Sequence, residues 1–100
     1  MFFISQESAM VLSDNKVSPI ITATTKVQCN VTEETFMGWY DPKGKLIGKN
    51  GRKYVESSGA AHTLVIKDVR AADGGSYICR GNLSAAILEV DVPCKYQRIF

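Results

Sequence analysis

The sequence is short of histidine, of paired cysteines and of long apolar runs, and each shortage removes a class of function. His62 is the only histidine, and none of the three cysteines stands in a C-x-x-C. The closely spaced ligands of a zinc site are therefore missing. There is no G-x-S-x-G, no phosphate-cradling glycine loop and no H-E-x-x-H, and no nucleophile motif surrounds His62. These absences argue against an enzyme and against a cofactor. Charge of one sign is equally scarce: twelve Lys or Arg against ten Asp or Glu leave +2. That falls far short of the excess needed to neutralise the phosphates of a nucleic acid. No stretch approaches eighteen apolar residues, so direct membrane insertion of this segment is not expected. The apolar start, Met1 to Ile4, lacks a basic flank and gives way to Gln6, Glu7 and Ser8, too short for a signal peptide.

What is present suits one small domain. One hundred residues, 45% of them hydrophobic, provide one core and leave no room for a second. Nine short segments carry the alternation and β-branched content of strands. They are Ala9 to Leu12, Val17 to Thr22, Thr25 to Thr32, Thr35 to Tyr40, Lys45 to Gly48, Arg52 to Glu56, Ala61 to Lys67, Gly75 to Asn82 and Ala85 to Val92. Turn chemistry separates them. Asp41-Pro42-Lys43-Gly44 sets Pro where a reverse turn needs φ of roughly −65°, and Asn50-Gly51 is a second turn signal. Many short strands with frequent turns mean an all-β sandwich or barrel.

One constellation is more specific. In Lys26-Val27-Gln28-Cys29-Asn30-Val31 the alternation turns Cys29 inward with Val27 and Val31. Ten residues on stands Trp39, the only tryptophan, and fifty residues on stands Cys79, preceded by Asp73-Gly74-Gly75-Ser76-Tyr77-Ile78. The Cys, Trp and Cys spacing, with D-x-G-x-Y-x-C at the second cysteine, resembles the immunoglobulin superfamily. The resemblance covers Val17 to Val92 and implies a two-sheet antiparallel β-sandwich with Greek-key topology. It also implies that Cys29 and Cys79 are bridged across the core against Trp39. Residues 1–16 then form an N-terminal segment with a first strand, 17–92 the domain, and 93–100 a C-terminal tail.

The same resemblance assigns further residues. Tyr77 makes the tyrosine corner, Leu64 and Ile66 point into the core, and Val69 plugs the corner. Arg52 pairs with Asp73 as a structural ion pair. The compact spacing is similar to the I-set, and the hairpin Gly38 to Ile47 resembles that of neural cell adhesion molecule and fasciclin II-type domains. With the cysteines committed to the core, Cys94 is the spare thiol, available to a cysteine outside this segment or to a second copy.

The expected function is recognition. Two N-glycosylation sequons, Asn30-Val31-Thr32 and Asn82-Leu83-Ser84, point to the secretory route. The expectation is an extracellular or cell-surface module of adhesion or of a receptor, its targeting signal and any anchor belonging to a longer parent. Its partner would be another immunoglobulin-like domain, of the same or a different molecule. The strand alternation puts Met37 inward with Trp39, leaving Phe36 and Tyr40 as exposed aromatic anchors. Lys43, Lys45, Lys49, Arg52 and Lys53 form a basic hairpin for heparan sulfate or an acidic partner, or else a charged edge that blocks aggregation. The alternatives are a structural immunoglobulin domain of an intracellular muscle giant protein, with reduced cysteines and a load to bear, and a ligand-binding domain of a growth-factor receptor.

Overall fold

Alternating side chains organise the computed structural model, which describes residues 10–93, into eight strands. They are β1 (Met10–Leu12), β2 (Lys16–Val17), β3 (Thr25–Val31), β4 (Phe36–Tyr40), β5 (Lys53–Ser58), β6 (Ala61–Ile66), β7 (Gly75–Gly81) and β8 (Ala85–Val90). A 3₁₀ turn, Ala71–Asp73, precedes β7. One sheet runs β1-β3-β6-β5 and the other β2-β8-β7-β4. The fold is an all-β immunoglobulin-like sandwich.

β3 shows the pattern that builds it. Val27, Cys29 and Val31 are buried while Lys26, Gln28 and Asn30 are exposed, so one face meets the opposite sheet and the other meets water. Across the interior, Trp39, Tyr77, Cys79, Leu88 and Val90 face Val27, Cys29, Val31, Val55, Leu64 and Ile66, and Met10 and Val69 join the same cluster. Each large apolar side chain withdrawn from water contributes about 1.5–3 kcal/mol. In β6, Val65 is buried as well, on the opposite face, where the register sets it between Lys26 and Tyr54.

The N-terminal strands belong to the sandwich. β1 pairs with β3, and Ser13 continues the contact through its N–H to the Gln28 carbonyl at 2.8 Å. The chain then crosses to the other sheet, where β2 runs parallel to β8, with Lys16 beside Glu89 and Val17 beside Val90. Every other strand pair is antiparallel. Among the described residues, the sandwich thus includes Met10 to Leu12 and Lys16, ahead of Val17.

Two expected strands come out differently. The one beginning near Val17 stops there, because Pro19 has no N–H for a ladder and Thr22 turns back at φ 75°. The segment Lys45 to Gly48 is not a strand; only Leu46 bridges to Tyr40. Asp41 explains it. Its Oδ1 accepts the N–H groups of Lys43 and Lys45, each at 2.9 Å, drawing the chain into a tight turn. After Ile47, which donates to the Trp39 carbonyl at 2.9 Å, the chain leaves for the other sheet, where the Gly48 carbonyl accepts from Val55.

Candidate functional site

The centre of the sandwich is pinned by Trp39 and the two core cysteines. The indole N–H donates to the His62 carbonyl at 3.0 Å, so a side chain of one sheet is tied to the backbone of the other. Cys29 on β3 and Cys79 on β7 are both buried, and both are free thiols. The expected bridge is thus not formed in this structure. Facing thiols pack as small apolar groups, and the core closes around them without a covalent link. The hydrogen bond with Cys29, reinforced by burial, pushes the Cys79 thiol far above its usual range. The same contact shifts Cys29 the other way, below its usual range, so the proton is held on Cys79.

The corner before β7 gathers the strongest polar contacts. The Tyr77 hydroxyl donates to the Asp73 carbonyl at 2.7 Å. Asp73, itself buried, receives the Arg52 guanidinium in a two-pronged contact, Nη1 to Oδ2 at 2.6 Å and Nη2 to Oδ1 at 2.9 Å. The Arg70 N–H and the Lys53 ammonium add 2.8 and 3.3 Å contacts to the same carboxylate. Burial opposes its ionisation, but Arg52, the Arg70 N–H and Lys53 outweigh that and hold the carboxyl at about 2. Gly75 makes the corner passable: it sits at φ 140°, and a Cβ there would lie 2.7 Å from the Pro42 ring. Pro42 is the turn residue of the basic hairpin, so hairpin and corner are packed on each other.

That packing divides the basic run. Arg52 and Lys53 are half-buried and engaged by Asp73, and Lys53 also lies over the Tyr77 ring at 5.3 Å. Lys43, Lys45 and Lys49 remain exposed. Two of the five cations, Arg52 and Lys53, are thus engaged by the corner, and they share a surface pocket with Lys43.

Both sequon asparagines lie outside the core, Asn30 and Asn82 being exposed. Asn30 accepts from the Gln28 amide at 3.1 Å. Asn82 has a structural duty, its Oδ1 accepting the Thr35 N–H at 2.8 Å. Beside it, Glu34 takes the N–H groups of Leu83 and Ser84 at 2.9 and 3.0 Å and the Ser84 hydroxyl at 2.5 Å, clamping the β7–β8 turn. Those hydroxyl and backbone contacts hold the Glu34 carboxyl below its ordinary value. Sequence reasoning missed this clamp, because forty-nine residues separate Glu34 from Leu83.

The aromatic anchors are corrected by a bulge in β4. The register slips between Phe36 and Gly38, and Gly38 stands at φ 140°. Met37 is consequently turned outward and 54% exposed. Phe36 turns against the core and stacks on His62, ring centroids 3.8 Å apart. Tyr40 is half-covered, with the Arg80 guanidinium 5.7 Å from its ring. A side chain at position 38 would put Cβ 2.5 Å from Leu46 Cδ1, so Leu46 lies over the glycine. Among the described residues, no cluster of His, Cys, Asp and Glu could hold a metal ion, and no helix is long and apolar enough to cross a membrane. Cys94 and Met1 to Ile4 lie outside the described residues.

Comparison with known proteins places this geometry. No curated protein matches the chain in sequence. Among solved structures it is similar to the I9–I11 tandem from titin, at 15% identity and TM-score 0.69, covering 83% of this chain and 32% of the tandem. The chain thus spans about a third of that structure. It is also similar to I81 from titin, at 15% identity and TM-score 0.70, covering 88% of this chain and all of that one. A third is the complex of titin M10 with an Obscurin like 1 immunoglobulin domain, at 21% identity and TM-score 0.69, covering 84% and 93%. At such identities the likeness is one of fold.

These matches correct the expectation of an adhesion or receptor module. All three contain domains of titin, and none contains a neural cell adhesion molecule or fasciclin II domain. The expectation of an extracellular location is corrected by the same finding. The model of the immunoglobulin I-set domain, a non-catalytic family, matches residues 10–92. The chain belongs to the immunoglobulin I-set domain family.

Proposed function

We propose that the chain is a structural module of a titin-like giant protein: a spacer that keeps its fold under load, offers surfaces to other immunoglobulin domains, and works with its cysteines reduced. The observation that carries the reading is the pair Cys29 and Cys79, buried as thiols in a core that closes without a bridge. Cohesion is supplied instead by the ladders of the two sheets, the Trp39 to His62 tie and the Arg52–Asp73–Tyr77 corner. The recorded pairing of titin M10 with an Obscurin like 1 immunoglobulin domain supports the further idea that a partner of this chain is itself an immunoglobulin domain.

Thiol titration tests this reading. Protein made in a reducing cytosol and purified without oxidant should yield three titratable thiols on denaturation, Cys29, Cys79 and Cys94, and its melting temperature should not change with reductant. One thiol in place of three, with a melting temperature that falls on reduction, would contradict it.

A further inference from the structure

The outer face of the β2-β8-β7-β4 sheet carries an apolar row. Because Trp39, Tyr77, Cys79, Leu88 and Val90 point into the core, their strand neighbours Tyr40, Ile78 and Ile87 point out. The register aligns them, Tyr40 opposite Ile78 and Ile78 opposite Ile87. Leu46 extends the row through its bridge to Tyr40. Leu46 and Ile87 are 54% and 55% exposed, unusual for large aliphatic side chains set on one face.

Charges of opposite sign flank this row at opposite ends of the strands. Arg80 is on β7, two residues beyond Ile78, and Glu89 is on β8, two residues beyond Ile87. The strands run antiparallel, so these two residues lie on opposite sides of the apolar row. Glu89 has Lys16 as its neighbour on β2 but, among the described residues, makes no ion pair with it; its Oε2 accepts the Ser76 hydroxyl, at 2.8 Å. Arg80 is exposed and rests over the Tyr40 ring.

We propose that this face docks a second copy of the chain. A two-fold axis running across the strands through Ile78 and Ile87 sets each isoleucine against its own counterpart. It also exchanges the two ends of the face, so that Arg80 of each copy meets Glu89 of the other. Sheets packed face to face cross at about 30°, and that inclination carries Arg80 from β7 over β8. The contact is isologous, as closed two-fold dimers require, and the two domains lie antiparallel. The proposal goes beyond the structural-module reading and is tested separately from it.

The experiment is sedimentation velocity of the full chain over micromolar to millimolar concentration, under reductant so that no cysteine bridges two copies. A concentration-dependent dimer is expected. Ile87→Lys should weaken it roughly tenfold or more, with the melting curve confirming that the variant is folded. Arg80→Glu and Glu89→Arg should each weaken the dimer, and the double variant should restore it. A chain monomeric throughout, a dimer insensitive to Ile87→Lys, or a double variant no better than the singles would overturn the proposal.

Discussion

Arg52 and Asp73 meet in a two-pronged ion pair, at 2.6 and 2.9 Å, whose carboxylate is buried and whose guanidinium also reaches the Lys67 and Asp68 carbonyls at 3.2 and 3.3 Å. The contact ties the start of β5 to the turn before β7, joining two strands of different sheets. Breaking a buried pair leaves one charge uncompensated, at about 3–5 kcal/mol. Since Lys53 still faces Asp73, Arg52→Ala should destabilise the domain by about 2–3 kcal/mol, read as a drop in denaturation midpoint. An unchanged midpoint would show that the pair contributes nothing to the fold.

The same carboxylate sets the acid limit. Its pKa is depressed from the ordinary 3.8 to about 2 in the folded state. The unfolded chain therefore takes up the proton first, and the stability contributed by Asp73 is complete above pH 3.8 and lost as pH falls towards 2. Acid titration of the fold should show this loss, and Arg52→Ala should move it to higher pH.

His62 gives a second, milder dependence of the same sign. Burial lowers its pKa below 6.5, with Phe36 stacked on the ring and Ser57 Oγ 2.7 Å from Nδ1. The fold favours the neutral imidazole, so its contribution is full above pH 6.5 and declines as pH falls through the folded value. Melting temperatures measured from about pH 8 to about pH 5 should fall in the native chain and fall less in His62→Gln.

The tyrosine corner makes a prediction of its own. Tyr77→Phe keeps the ring but leaves the buried Asp73 carbonyl without its 2.7 Å donor. The expected cost is about 1–3 kcal/mol, measured by chemical denaturation, with near-native circular dichroism.

Glu34 and Gly81 form a pair that only works together. A Cβ at position 81 would collide with the Glu34 carboxylate that holds Leu83 and Ser84. Gly81→Ala should loosen the β7–β8 turn, seen as faster amide exchange at Leu83 and Ser84. Protection equal to that of the native chain would show that the carboxylate can move aside freely.

The fold was readable because its signals are local. Alternation in β3, the spacing of Cys29, Trp39 and Cys79, and the D-x-G-x-Y-x-C motif each place residues by position along a strand. Departures arise where the backbone breaks that count. The slip at Gly38 reverses Phe36 and Met37, and no alternation rule announces a bulge. The turn built by Asp41 takes Lys45 to Gly48 out of the sheet. The parallel pairing of β2 depends on β8, more than seventy residues away. The apolar row lay within reach of the sequence: once Tyr77, Cys79 and Leu88 point inward, Ile78 and Ile87 have to face out. The state of the cysteines did not, since spacing sets where two sulfurs lie and the redox surroundings decide whether they join.

Whether the core holds without a covalent link is decided by pulling a single domain between handles in non-reducing buffer. With Cys29 and Cys79 as thiols, unfolding should release residues 10–93 at about 3.5 Å per residue, roughly 290 Å of chain. A gain of less than half that length, restored to full by reductant, would mean that a bridge locks the core, and the reduced structural module proposed above would be wrong.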